Sequence, residues 1–595
     1  MKVNNFNEKE VLVNEFINSG INITPHILDI ISNFDNPLNE VKIIIKNVSF
    51  LPNFKGHLTL DVLKKISNKE ITKSLHRTLF KEVSVLNDQE EVQKEPKDEI
   101  YTKSLNKKRL IEQNQIKPKI VENSPKNKVL MISHEENFQY NANIDNLSIN
   151  QQVTKSSIYG RSKTTLGFTP VAKDYDLSYE ILKDPSGKLF TDGSYQEFYE
   201  LTLDKFNKLR KLMRKRPEVL SANNINNILR LTNKVEVSVI GLVKMIRKTK
   251  NGNFFLVLED ITSLINVIIR KDSENQDIVK IVERTLNDQM VYVEGLYNPG
   301  ERGKSGIIFC NYISKIDIPK DFEPSKAFDP VSVALISDLH IGSKEFEEKL
   351  WKRFIDLING KIGNKNQKER AGRIKYIIIN GDLVDGIGIY PGQEKDLVFT
   401  DIYKQFDEAK KLLSGIPDYI KIIYSSGNHD PVRTAIPRPA VPDKYASELI
   451  DIGVSCIGNP SIVQTHNVKT LIYHGDSILD INMLIPGLEN NKPAETMKEL
   501  LKCRHLAPVY GKKTQIAPLN KDWLVINKIP DIFHTGHLHI NGMDYYNNIA
   551  LVNSGTFQNQ TTFMKSLGIQ PTPGILSLIE LDTLKGIQLD LKSSI

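Results

Sequence analysis

The sequence predicts a multidomain α+β chain with three ordered parts. These are a small helical module, a five-stranded barrel and a large final domain of alternating strands and helices. Three observations carry this. At 595 residues the chain is too long for one ordinary core. Between Val235 and Ile318 apolar residues alternate with polar ones at strand period. After Ala327, apolar runs alternate with helical stretches.

Composition narrows the class. The hydrophobic share is 40% and the charged share 25%, as in soluble globular proteins. No apolar run is long enough to span a bilayer, and no charged-then-apolar signal segment follows Met1. The expected compartment is the cytoplasm, with no membrane partner. Cys310, Cys456 and Cys503 lie far apart without a C-x-x-C pair, which argues against a disulfide scaffold or zinc ribbon. A net charge of +7 permits nucleic-acid binding and equally suits a basic solvated surface.

The helical module is expected over residues 1–80. Thr24 would cap a helix with Pro25 at its first position, followed by Ile27, Leu28, Ile31 and Phe34 at helical spacing. Thr59 would cap a second helix with Leu60, Leu63 and Ile66. Residues 81–158 are rich in Lys, Glu, Asn, Gln and Ser and lack sustained apolar periodicity. Such a segment buries too little apolar surface to offset its chain entropy, so it reads as a disordered linker. Residues 159–233 read as a helical or irregular lead-in. There Leu203, Phe206, Leu209 and Leu212 share a helical face, Pro217 ends the helix, and Lys205, Lys208, Arg210, Lys211, Arg214, Lys215 and Arg216 surround it. That basic run either meets phosphates or forms the solvated side of a core helix, the commoner case.

Residues 234–320 show about five strands, with a helical stretch, Ile278 to Leu286, after the third. Asn251-Gly252 marks a hairpin turn between the first two. This order is that of an OB-fold barrel. OB-folds bind single strands through basic grooves and aromatic stacking, which makes Arg247, Lys248, Lys250 and Phe254 candidate DNA contacts. A barrel used only for packing fits the same pattern.

The final domain, 327–595, carries five short motifs near the ends of apolar runs. They are Asp338-Leu339-His340, Gly381-Asp382-Leu383-Val384-Asp385, Gly427-Asn428-His429-Asp430, His474-Gly475 and Gly536-His537-Leu538-His539. Loops at the C-terminal ends of strands are where α/β sheets place their sites. Carboxylate, imidazole and amide donors together suit manganese, iron or zinc better than calcium. A pair of such ions activates water and clamps phosphoryl oxygens, with a carboxylate as the natural bridge. The glycines before Asp382, Asn428 and His537 are expected to let the backbone turn sharply.

These motifs resemble the calcineurin-like metallophosphoesterase superfamily, whose nuclease branch includes double-strand-break-repair exonucleases. The resemblance implies an αββα sandwich. It also implies that Asp338, His340, Asp382 and His539 hold one ion, and that Asp382, Asn428, His474 and His537 hold the other, with Asp382 bridging. His429 would stay off the metals and stabilise or protonate the reacting phosphate ester, oriented by Asp430; Asp385 would support a ligand.

Longer segments are similar to the small subunits of archaeal family-D DNA polymerases. They include Ser337 to Ser343 with Phe346 and Trp351, Asn380 to Gly386 with Tyr390-Pro391-Gly392-Gln393, Arg504 to Pro508, Pro530 to His537, and Asn553 to Gln558. One departure is Pro437-Arg438-Pro439, where that family would place glutamine between the prolines. The resemblance implies a metal-dependent 3′–5′ exonuclease that proofreads DNA ends beside a large catalytic polymerase subunit. Its DNA would be single-stranded or frayed at the 3′ end. Its cofactors would be two divalent ions, manganese first, with magnesium, zinc or iron as alternatives. Arg433 and His505 are further candidate phosphate contacts. A catalytically silent scaffold subunit and a free-standing metallophosphatase are the rival readings.

Overall fold

The computed structural model describes residues 6–66 in part (6–23, 25–32, 34, 36–48, 57–58, 62–63 and 66). It also describes 168–593 except 220, 273–274, 301–304 and 567. The chain forms two compact units, Met1–Tyr140 and Asn141–Ile595. The expected linker at 81–158 lies outside the described residues, as do Thr24, Thr59 and Leu60.

In the first unit, helices Phe6–Asn18, Pro25–Ser32 and Pro37–Val48 accompany two short paired strands, β1 (Asn22–Ile23) and β2 (His57–Leu58). Ile27, Ile31 and Phe34 are buried beside Phe16, Val41 and Ile44, so the apolar spacing read from the sequence does face a core. Leu63 and Ile66 join the same cluster.

In the second unit a short 3-10 helix, Val171–Asp174, leads to β3 (Tyr179–Lys183) and then to helix Tyr195–Met213. Ser194 and Glu197 form a reciprocal capping box that starts this helix. The helix stops at Met213, a turn before Pro217. Its Phe206, Leu209 and Leu212 pack on Ile240, Met290 and Tyr292 of the barrel and on Val525.

The barrel is closed and has five strands: β4 (Val235–Lys248), β5 (Phe254–Glu259), β6 (Leu264–Ile269), β7 (Met290–Asn298) and β8 (Ile307–Lys315). Closure depends on β4, whose first half pairs with β7 and second half with β5. Gly252, at φ +83°, makes the expected β4–β5 turn. Helix Gln276–Glu283 follows β6 and buries Ile278 and Val282 in the barrel core.

The rest is two six-stranded mixed sheets. One runs β12 (Ser455–Ile457), β11 (Lys421–Ser425), β10 (Ile374–Asn380), β9 (Ser332–Ile336), β18 (Ile575–Glu580), β19 (Gly586–Asp590). The other runs β16 (Gly542–Tyr546), β17 (Ile549–Asn553), β15 (Ile532–Thr535), β14 (Val468–Ile472), β13 (Ser461–Thr465), β3. Strand period sorts the side chains into layers. Val333, Leu335, Tyr376, Ile378 and Ile423 meet Val463, Ile472, Ile532 and Val552 between the sheets. Their neighbours Ile336, Ile377 and Ile379 face outward onto Trp351, Phe354 and Phe406 of flanking helices. On the other sheet Leu471, Phe533 and Leu551 do the same with Met497 and Leu500. Both faces of β10 are covered, which is why Ile374–Asn380 is almost uniformly apolar.

Two expectations for 159–233 are corrected. The segment is not only helical or irregular: β3 pairs antiparallel with β13 and completes a sheet of the final domain. The basic helix is neither simply solvated nor free for phosphate. Lys205 donates to Pro508 O and Lys208 to Asp522 O, each at 2.7 Å, and Arg216 donates to Ile316 O at 2.5 Å. Carbonyls left over at loop ends need donors, and long basic side chains supply them. No helix among the described residues is long and apolar enough to cross a membrane.

Candidate metal centre

Parallel strands β9, β10 and β11 end side by side, and β14 and β15 do so in the facing sheet. Each motif leaves one of these ends, so residues some 200 positions apart converge: His340 Nε2 lies 3.0 Å from His539 Nε2. His539 Nε2 is 3.5 Å from Asp338 Oδ1, and His340 Nε2 is 3.8 Å from Asp382 Oδ2. On the other side of Asp382, His474 Nε2 lies 3.3 Å from its Oδ2 and 3.0 Å from Asn428 Oδ1. The His537 ring packs on His474 with centroids 5.1 Å apart. Asp338-His340-His539 and Asp382-His474-His537 are each compact enough to hold a metal ion.

The backbone at this site is unusual. Asp338, His340, Asp382, His537 and His539 all have φ between +50° and +69°. Left-handed backbone at non-glycine residues costs on the order of 1–3 kcal/mol each and persists only where the surroundings enforce it. The glycines behave differently from expectation. Gly381 does adopt φ +83°. Gly427 and Gly536 are there for room, since a Cβ would sit 2.2 Å from Asp382 Oδ1 at the first and 2.5 Å from Ser337 Oγ at the second.

Hydrogen bonds fix the ring orientations. His474 Nδ1 faces Asn380 O at 2.9 Å and His340 Nδ1 faces Asp385 Oδ1 at 2.8 Å. Donation there aims each Nε2 into the cluster, where a metal would replace its proton, as ligand histidines require. Two imidazole lone pairs at 3.0 Å repel unless a proton or cation lies between them, so the donor set fits a metal.

The electrostatics agree. Burial pushes His537 down to about 4 and holds His539 well below its ordinary value, which favours the neutral, ligating form. Burial also raises Asp338, with the Asp382 charge beside it, to about 6. Burial opposes ionisation of Asp382, yet His474 and His429 hold its carboxyl well below the usual range. Burial likewise opposes charge on His474, but Asp382 and Asp338 draw it up to about 10; these carboxylates call for a cation.

His429 is half-buried beside this cluster, its ring edge-on to His340 at 4.6 Å. Its orientation comes from Asp385, not Asp430. His429 Nδ1 donates to Asp385 O at 2.8 Å. Asp430 turns away and accepts from the backbone N–H of Asp382 (3.0 Å), Leu383 (3.2 Å) and Gly427 (2.7 Å), tying two motif loops together. His429 and Asp430 sit in the bend that follows β11, where Asp430 is taken up by the backbone N–H groups of its own and the neighbouring loop.

Asp385 is in turn held by Gln393 Nε2 at 3.1 Å and Gln558 Nε2 at 3.2 Å. Their only sequence signal was membership of the longer shared segments.

The remaining candidates lie elsewhere. His505 is enclosed, with Nε2 on Asp522 Oδ2 at 3.0 Å. Arg433 donates to Pro437 O and Leu189 O. Arg438 is buried in a paired bond to Asp476, next to His474-Gly475, so its departure from the family pattern is met by a structural ion pair. On the barrel, Arg247, Lys248 and Lys250 are exposed, with Arg247 over the Phe255 ring at 4.8 Å. Phe254 is 6% exposed and points into the barrel core, because β5 alternates strictly and Phe255 takes the outer position.

The cluster opens into a cavity of about 340 Å³ lined by His340, Asp382, Asn428, His429, His537 and His539. Lys513, Tyr390 and Phe563 also line it; of these only Tyr390 lay in one of the longer shared segments.

A layered sandwich with a mixed Asp/His/Asn cluster at its strand ends defines a class, and residues 333–540 match the family of DNA polymerase alpha/epsilon B subunits. The "DNA polymerase II small subunit" of Methanothermobacter thermautotrophicus is 39% identical over 417 residues, covering 70% of this chain and 83% of that protein. The protein of that name from Pyrococcus horikoshii is 38% identical over 439 residues, covering 71% and 68%. That of Archaeoglobus fulgidus is 38% identical over 398 residues, covering 67% and 78%. The chain belongs to the family of archaeal DNA polymerase II small subunits, the small subunits of the family-D enzymes.

Proposed function

We propose that the chain is the proofreading 3′–5′ exonuclease of a two-subunit archaeal replicative polymerase, paired with a large catalytic subunit. On this reading the two-sheet domain is a calcineurin-like αββα sandwich and the barrel is an OB-fold. The observation that carries it is the convergence of Asp338, His340, Asp382, Asn428, His474, His537 and His539 in one cluster that opens into the cavity, with His429 at its edge. A decayed site would have lost members of this set.

Asp338, His340, Asp382 and His539 would hold one divalent ion and Asp382, Asn428, His474 and His537 the other, manganese being the first choice. When bound, such ions lower the pKa of water and neutralise phosphoryl charge. The chain's own groups do the rest. The buried carboxylates and imidazoles fix the donor geometry before substrate arrives, so reorganisation is small. Hydrolysis adds water's oxygen to the last phosphorus and breaks its bond to the 3′ oxygen of the penultimate nucleotide. That oxygen takes a proton and a nucleoside 5′-monophosphate departs. His429 would act through Nε2, first taking the proton that water loses and then passing it to that oxygen, because its Nδ1–H is committed to Asp385 O and burial keeps the ring neutral.

The test uses 5′-labelled single-stranded DNA with manganese, wild type against His429→Ala. Stepwise shortening by wild type alone supports the reading. No shortening by wild type, repeated with the large subunit present, overturns it in favour of a scaffold role. Activity on phosphoprotein with none on DNA would indicate a phosphatase.

A further inference from the structure

Part of the cavity wall takes no part in the chemistry just described. Ile389, Tyr390, Phe563, Met564 and Ile569 line the same space as His429 and Asp382. Tyr390 follows the second motif; Phe563 lies on the short helix Thr562–Ser566. Their rings stack with centroids 5.5 Å apart and planes within 9°. The Tyr390 hydroxyl donates to Asp396 Oδ2 at 2.9 Å, which anchors that ring by its polar end. Met564 is buried and holds the short helix down, while Phe563 stays 51% exposed and Ile389 37% exposed. Gln560 Nε2 closes the following turn on Ile569 O at 2.7 Å. An exposed aromatic held this firmly beside a charged cluster is the informative kind of exposed apolar surface.

Resting on the exonuclease reading, we infer that the Tyr390–Phe563 wall receives the nucleobase of an unpaired 3′-terminal nucleotide. The terminal sugar is bonded to the scissile phosphate through its 5′ oxygen and carries the base one sugar away. A phosphate at the Asp/His cluster therefore brings that base to the wall of the same cavity. The volume of about 340 Å³ is at the small end of ligand sites, the scale of one nucleotide rather than a duplex. A proofreading site must accept any base, and stacking does so because every base has a π face. A base paired in a duplex must first be unstacked to reach the wall, which costs least at a mismatch. The wall thus selects frayed ends without reading sequence. Lys513, exposed at the cavity, is placed to meet a backbone phosphate.

The experiment has two arms on the full chain. In the first, a single strand carrying 2-aminopurine at its 3′ end is titrated with protein in EDTA, so that cleavage cannot intervene. Wild type quenches the fluorescence, Phe563→Ala does not, and Phe563→Tyr restores quenching. Equal quenching by wild type and Phe563→Ala overturns the inference. In the second, with manganese, wild type removes a normal 3′ nucleotide with a KM about tenfold below that for a 3′-abasic end, and Phe563→Ala treats the two alike. If Phe563→Ala keeps the wild-type preference, the wall is not the base site. If wild type cleaves no end at all, the exonuclease reading falls instead, and the quenching arm still decides the wall.

Discussion

The barrel and the loops at the ends of the sandwich strands were both expected to touch DNA, and they are built on opposite principles. The barrel keeps mostly to strand period: β5 and β6 alternate strictly, while β4 and β7 carry bulges. Two of its exposed cations lie beside its own groups, Arg247 over Phe255 and Lys248 near Glu283 at 3.4 Å. The strand-end loops break local rules instead. Five candidate ligands take left-handed backbone, and carboxylates and imidazoles are buried together. Regular structure tolerates substitution at its surface, whereas a strained, buried cluster depends on every group that enforces it.

The largest expected effect is at His429. His429→Ala should lower kcat by about 10²–10⁴-fold, the usual contribution of a positioned proton donor, with an unchanged thermal melt. A melt that falls with activity would place His429 among the structural residues.

Next is the Arg438–Asp476 pair, which tests whether a buried charge outside the cluster matters as much to stability. Removing one partner of such a pair costs about 3–5 kcal/mol, so Arg438→Ala should shift the denaturant midpoint of the larger unit accordingly. Burial disfavours the Asp476 carboxylate, but Arg438 outweighs it and holds the group at about 2 against its ordinary 3.8. A depressed carboxylate stabilises the fold above its unfolded value. That contribution is therefore complete above pH 3.8 and is lost as pH falls toward 2. In Arg438→Ala the acid transition should move to higher pH; an unchanged acid limb would mean that other carboxylates control it.

A smaller effect is expected at Gln558, which supports Asp385 rather than the cluster itself. Gln558→Ala should weaken manganese binding about 10–100-fold in calorimetry, because Asp385 orients His340. Unaltered affinity would show that Gln393 suffices.

The smallest belongs to the barrel. Lys248→Ala should change stability by less than about 0.5 kcal/mol. If the barrel carries single strands, it should also lower the salt slope of DNA binding by about one, evenly across sequences. A slope unchanged in this variant and in Arg247→Ala would reduce the barrel to a packing platform.

Much of this contrast was legible in the sequence. The strands of the barrel, its turn at Gly252 and the helix after its third strand follow from period and punctuation. The cluster residues followed from five short motifs placed after apolar runs, and their roles from the family resemblance that those motifs carry. Four features were not legible. They are β3 joining the final domain's sheet, the use of the basic helix to tie segments together, the inward turn of Phe254, and Asp385 in place of Asp430 as the support of His429. Lys205 reaches Pro508 across 303 positions and Gln558 reaches Asp385 across 173. No window of sequence spans such distances.

The sequence by itself therefore determined the barrel strands, the apolar runs that lead into the motifs and which residues supply carboxylate, imidazole and amide, because periodicity and donor chemistry are local properties. Only the tertiary structure decided which groups orient them, which candidates stay enclosed and which aromatic wall stands beside the cluster. Those depend on sheet register and packing, where a shift of one residue turns a side chain to the opposite face.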